Sequence, residues 1–232
     1  MSGFFVAVPW SFYYIQQTGK TGGIPWNPAT CITMQSIKTC EIRWFYEQPM
    51  EHLTAFFGQL PEGAATFEER TDTYLIPVLE QGVGVKIRTN RIEVKSRKGN
   101  PVPTEIAPGL KGYRETWVKY GFVLQADQAT HFNPVETPDA WLQVHKERRA
   151  TLVEVSRGNC KFHPIGTNLS NCVQLEYTRV GIQNRFWYTF GLEWLAETPV
   201  EIPASFFYGI LPPESLQRQE SMSYPSFLYQ QV

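Results

Sequence analysis

The chain has 232 residues, a length that one all-β barrel covers by itself, so a single domain is the default. At 42% hydrophobic and 19% charged it can bury a full core and lies outside the disordered class. A net charge of −1 excludes a whole-molecule pull toward nucleic acid or an anionic membrane, so any anion-binding role must come from local clustering of charge.

Met1 to Ile15 is apolar and aromatic but carries no Lys or Arg ahead of the apolar run, unlike a secretory signal, and it is too short to span a bilayer. Cys31, Cys40, Cys160 and Cys172 are too few and too dispersed for a disulfide scaffold. These features predict a cytoplasmic protein with reduced thiols.

Residues 1–36 have Gly, Pro and aromatic residues without a clean period, and read as an arm or an upstream extension, with Met34 a sensible alternative start. Residues 37–202 carry the regular patterns. Thr39–Phe45 reads as a strand, and Glu51–Gln59 as a short helix with Leu53, Phe56 and Phe57 on its apolar side. Strand patterns follow at Thr71–Ile76, Val83–Arg88, Arg91–Arg97, Gly112–Gln125, Thr151–Ser156, Cys172–Val180 and Phe186–Trp194. Turn signals separate them at Gln81-Gly82, Thr89-Asn90, Lys98 to Pro101 and Arg157 to Asn159. Pro138–Arg149 is expected to be a helix opened by Pro138-Asp139, although Trp141–Ala150 also reads as a strand. The segment 203–232 is rich in Pro and aromatic residues and is expected to pack on the outside of the barrel or to hang free.

The informative pattern is charge at period two, because successive side chains of a strand face opposite sides. Thr39, Glu41 and Arg43 share one face against Cys40, Ile42 and Trp44. Lys86 and Arg88 oppose Val85 and Ile87, and Arg91, Glu93, Lys95 and Arg97 oppose Ile92, Val94 and Ser96. Thr189, Gly191 and Glu193 oppose Tyr188, Phe190 and Leu192. One reading is a half-exposed sheet with its charged side in water. The other is a closed barrel whose apolar faces pack outward while the charges point in and pair with each other or with a ligand.

The motifs occur in a definite order. Thr39-Cys40-Glu41-Ile42-Arg43 is followed by Arg70-Thr71-Asp72-Thr73-Tyr74-Leu75-Ile76-Pro77, Val85-Lys86-Ile87-Arg88 and Ile92-Glu93-Val94-Lys95. Then come Lys146-Glu147-Arg148-Arg149, Leu175-Glu176-Tyr177-Thr178-Arg179-Val180 and Gly191-Leu192-Glu193-Trp194. Over residues 37–196 this order resembles the CYTH family of triphosphate tunnel metalloenzymes, which opens on E-x-E-x-K, continues through basic strands and closes on E-x-E. The resemblance implies a mainly β (α+β) fold, an eight-stranded antiparallel tunnel-like β-barrel with a few flanking helices. It implies phosphate binding by Arg43, Lys86, Arg88, Lys95, Lys146 and Arg148, catalytic roles for Glu41 and Glu193, and Mg²⁺ or Mn²⁺ held by Glu41, Glu176 and Glu193. Thr39 and Gly191 stand where the family has glutamates, which thins the acidic wall and leaves the basic one.

Three functions follow as expectations. One is a metal-dependent hydrolase of an inorganic or nucleotide triphosphate or polyphosphate, or less readily an adenylate cyclase. The second is a catalytically weakened sensor of the same ligands. The third is a scaffold using Met1–Trp26 and Phe206–Tyr229 to form a homodimer or meet a partner. No specific nucleic acid and no membrane is expected as partner. Cys160, His163 and Cys172 lack the fourth ligand of a structural zinc site. His52, His131 and His145 sit in no nucleophile–base pattern, and Gly82-Val83-Gly84 reads as a turn.

Overall fold

The computed structural model describes residues 35–76, 82–88, 91–124, 138–169, 171–198 and 200–232. The arm at 1–34, the turn residues Gln81, Thr89 and Asn90, and His131 lie outside the described residues. The elements in chain order are β1 (Gln35–Tyr46), α1 (Glu51–Gln59), β2 (Thr66–Leu75), β3 (Val83–Arg88), β4 (Arg91–Arg97), β5 (Val102–Ala107), β6 (Leu110–Val123), β7 (Trp141–Ser156), β8 (Asn159–His163), β9 (Cys172–Ile182), β10 (Arg185–Leu195), α2 (Ala204–Ile210) and α3 (Tyr224–Tyr229).

Eight of the strands close on themselves in the order β1-β10-β9-β7-β2-β3-β4-β6, with β6 pairing back onto β1. Every pairing is antiparallel. The chain is therefore a closed eight-stranded β-barrel with few helices, and closure leaves the barrel strands no unpaired edge. β5 folds back on β6 and β8 on β7 as short outer hairpin partners.

The alternation of each strand decides what lies on either side of the wall. Ile42, Trp44, Phe190, Leu192, Leu175 and Tyr177 face outward and form the main core with Leu53 and Phe57 of α1, Phe207 of α2, and Leu110, Leu211 and Leu216. The barrel is thus apolar on its covered outer flank and charged within. A second cluster collects Phe45, Val144, Val180, Ile182 and Trp187 with Tyr224, Phe227 and Leu228 of α3. Phe45 has the inward parity of Glu41 and Arg43, and Trp187 that of Gly191 and Glu193, so α3 lies across one end of the barrel interior. Gly84 admits it: a Cβ there would stand 2.8 Å from Cγ of Pro225.

Two expectations change. Pro138–Arg149 is not a helix: only Pro138–Ala140 makes a 3-10 turn, and Trp141 begins a 16-residue strand. That strand pairs with β2 on one side and β9 on the other, and these ladders outweigh the local helix signal. The segment after Pro203 neither hangs free nor stays wholly outside, since α2 covers the outer core and α3 enters the barrel end. β5, β8 and the first half of β2 had no sequence reading as strands. Among the described residues no helix is long and apolar enough to cross a membrane, and Cys40, Cys160 and Cys172 are free thiols.

Candidate functional site

Inward alternation from all eight barrel strands lines an interior cavity of about 650 Å³. Nine cationic residues border it: Arg43 from β1, Arg70 from β2, Lys86 and Arg88 from β3, Arg91 and Lys95 from β4, Lys119 from β6, and Lys146 and Arg148 from β7. Five carboxylates share the lining, Glu41, Glu68, Glu93, Glu176 and Glu193. All nine residues singled out from the sequence, Glu41, Arg43, Lys86, Arg88, Lys95, Lys146, Arg148, Glu176 and Glu193, are on this wall. The charged faces therefore point in.

The charges form a belt of ion pairs around the barrel. Lys95 reaches Glu41 at 3.3 Å, Arg43 Nε meets the other Glu41 oxygen at 2.8 Å, and Arg43 Nη1 meets Glu176 at 2.9 Å. Glu176 continues to Arg148 Nε at 2.5 Å, and Arg148 to Glu68 at 3.3 Å. Glu68 pairs with Arg70, whose Nε lies 3.2 Å from Asp72. Asp72, fully buried on the same inward face of β2 as Glu68 and Arg70, holds Lys146 at 2.7 Å and Lys86 at 3.5 Å. Lys86 joins Glu93 at 2.8 Å, which takes Arg88 at 2.9 Å, and so the belt returns to β4, the strand of Lys95. Lys119 and Glu193 pair separately between β6 and β10.

Burial alone would raise the pKa of Glu176, but the Arg148 and Arg43 guanidiniums hold it well below the ordinary carboxylate range. Glu41 is likewise held down, against burial, by Lys95, Arg43 and Lys119, and Asp72 by Lys146, Lys86 and Arg70. Lys146 is shifted toward its neutral form instead. Burial lowers it to about 7; Asp72 opposes the shift, while Lys86 and Arg70 reinforce it. One carboxylate among three cations stays ionised, and the most buried of those cations is the easiest to discharge.

The same pairs bear on a divalent cation. Both oxygens of Glu41 and both of Glu176 already face Arg or Lys, and Glu193 is taken by Lys119. Among the described residues no group of three or more His, Cys, Asp and Glu is placed to hold a metal ion. The three carboxylates expected as Mg²⁺ or Mn²⁺ ligands therefore do not fit a resident ion in this arrangement, because it would sit among cations whose pairs would have to open. His163 faces Glu154 at 3.0 Å instead of sharing a metal with Cys160 and Cys172.

The departures at 39 and 191 have local causes. Gly191 lies opposite Arg43 in the β1–β10 register, and a Cβ at 191 would stand 2.7 Å from Cζ of Arg43. An arginine tip usually swings away cheaply. This one is clamped between Glu41 and Glu176 and is 5% exposed, so displacing it strands buried charge. Gly191→Ala is expected to lower unfolding free energy by about 2–3 kcal/mol in chemical denaturation. Thr39, also buried on the wall, leaves its hydroxyl without a hydrogen-bond partner among the described residues.

Sequence reasoning missed Arg70, Asp72 and Lys119 as site residues, and Tyr224 altogether. Glu68, Arg70 and Asp72 alternate on β2 as the recognised charges do, so the signal was present. Lys119 shares its strand face with Glu115, but Trp117 stands between them and Gly121 follows, so the charges make no period-two run.

A scan against protein-family models and a search of curated proteins returned no match to this chain. The functional reading rests on the site itself.

Proposed function

We propose that the barrel binds the phosphate chain of a triphosphate or short linear polyphosphate, inorganic or carried by a nucleotide, as a divergent CYTH-like tunnel working as a binding module. The observation that carries this reading is the imbalance of the wall, nine cations against five carboxylates, enclosed in one cavity. Even with the inward Asp72 counted beside those five carboxylates the cations remain in surplus, and buried charge of one sign calls for a multivalent anion. Arg43, Arg88 and Arg148 suit forked contact with phosphate oxygens, and Lys86, Lys95 and Lys146 act as point charges from other walls. Binding is favoured over hydrolysis because Glu41, Glu176 and Glu193 are engaged by Arg and Lys.

Calorimetric titration with tripolyphosphate in metal-free buffer tests this. Saturable one-to-one binding that weakens with salt is expected. Arg88→Ala should weaken it about tenfold or more, the scale of a charge-assisted hydrogen bond. Arg88 is partly exposed, so that variant folds. Phosphate release that requires Mg²⁺ or Mn²⁺ and disappears in Glu41→Ala would make the barrel a hydrolase. Absence of binding would overturn the phosphate reading and leave a scaffold.

A further inference from the structure

We propose that Tyr224 is a ligand-contacting residue, its hydroxyl donating a hydrogen bond to the terminal phosphate at the inner end of the cavity, so that the barrel takes a phosphate chain end-on. The inference rests on the phosphate reading above and assigns a contact to a segment outside the barrel strands.

The segment Ser221–Tyr229 is fastened to the barrel end at several points. Ser221 bridges to Trp44, Met222 N–H donates to the Arg43 carbonyl at 3.0 Å, and Tyr113 N–H donates to Ser221 Oγ at 2.8 Å. Ser223 caps α3, and Phe227 stacks on Phe45 with ring centroids 3.9 Å apart. These contacts set the Tyr224 ring under two belt cations, with Lys146 Nζ 3.9 Å and Arg43 Cζ 4.7 Å from its centroid. Cation–π attraction and packing account for the ring, and phenylalanine would supply both.

They do not account for the hydroxyl. Tyr224 lines the cavity and is 7% exposed, yet its oxygen is buried with no hydrogen-bond partner among the described residues. Buried tyrosine hydroxyls are normally paired, because an unmade hydrogen bond there is costly. Burial raises its pKa well above the ordinary value, so it stays a donor at neutral pH. A donor without a partner, beside Arg43 and Lys146 at the cavity's inner limit, matches a phosphate oxygen. Behind it Phe45, Trp187, Phe227 and Leu228 fill the barrel. A chain cannot thread past this packing, so the group that reaches Tyr224 is a chain terminus.

Titration of wild type and Tyr224→Phe with tripolyphosphate, alongside the melting temperature of each free protein, tests the contact. The variant should bind about tenfold more weakly, the scale of one hydrogen bond to a charged group. Its free melting temperature should be equal or higher, because an unsatisfied hydroxyl has left the core. A merely structural role would lower the melting temperature and leave affinity alone. Equal affinity in the two proteins, with wild type binding, overturns the contact and spares the phosphate reading; wild type failing to bind overturns both. A dinucleoside polyphosphate, esterified at both ends, should bind far more weakly than tripolyphosphate, and equal affinity would overturn end-on binding.

Discussion

Glu176→Gln is expected to destabilise the free protein by about 3 kcal/mol at pH 7, the low end of the range for removing one partner of a buried ion pair. The carboxylate sits between Arg43 and Arg148, and all three side chains are at least nine-tenths buried. Thr178 adds a hydroxyl donor at 3.3 Å. Glutamine keeps the shape but leaves two guanidiniums facing one another without the charge that held them. A polyanion restores that charge. Tripolyphosphate should therefore raise the variant's unfolding free energy more than the wild type's, and should bind the variant more tightly, because the internal competitor for Arg43 and Arg148 is gone. Because the folded-state pKa of Glu176 is depressed, its contribution is complete above the ordinary carboxylate range, about pH 4.3, and fades as pH falls through the depressed value. The gap between wild type and variant should close in acid. Urea titrations across pH, with and without tripolyphosphate, measure each part. A variant as stable as wild type at pH 7 would mean that the belt does not hold its charges as described.

The interior was legible because a barrel wall repeats one rule on every strand. Glu41 with Arg43, Lys86 with Arg88, and Glu93 with Lys95 each show two like-facing charges opposite apolar residues, and one decision about which side is inside places them all. The outer apolar face settles that decision, because Ile42, Trp44 and Leu192 need α1, α2 and the Leu110–Leu216 region to cover them. β7 was harder. Leu142, Val144, Lys146 and Arg148 change from apolar to charged along one inward face, as the strand passes from the packed end of the barrel to the belt. A pattern that changes character halfway does not look like alternation in a short window, and Pro138-Asp139 supplies a helix start. Only pairing with β2 and β9 decides it.

Tyr224 shows the other limit. Nothing in Ser223-Tyr224-Pro225-Ser226 marks it as a wall residue, because its position depends on contacts with β1, β3 and β10, far away in sequence. Gly191 is intermediate: as a motif residue it looks like a loss of a carboxylate, and as a neighbour of Arg43 it looks like room made for a guanidinium. The two views separate what the family resemblance implies at this position from the packing that fills it.

On the proposed phosphate reading, Lys146 should make binding depend on pH. Free, it titrates near 7, lowered by burial and by Lys86 and Arg70 against the pull of Asp72. A bound phosphate chain favours the charged form, so binding raises its pKa and takes up a proton wherever the free protein has already lost it. Above pH 7 the affinity for tripolyphosphate should therefore fall, approaching about tenfold per pH unit, or about fiftyfold from pH 7 to pH 9. The ligand works in the opposite direction, since its terminal phosphates only gain negative charge as pH rises. A decline in that window thus belongs to the protein. Lys146→Arg, which keeps its charge throughout, should flatten the profile above pH 7 while retaining the contacts of a cation to Asp72 and Tyr74. Calorimetry in two buffers of different ionisation enthalpy reads the proton uptake directly at pH 8. Wild type is expected to take up close to one proton more than the variant, and equal uptake in both would overturn Lys146 as a contact of the proposed ligand.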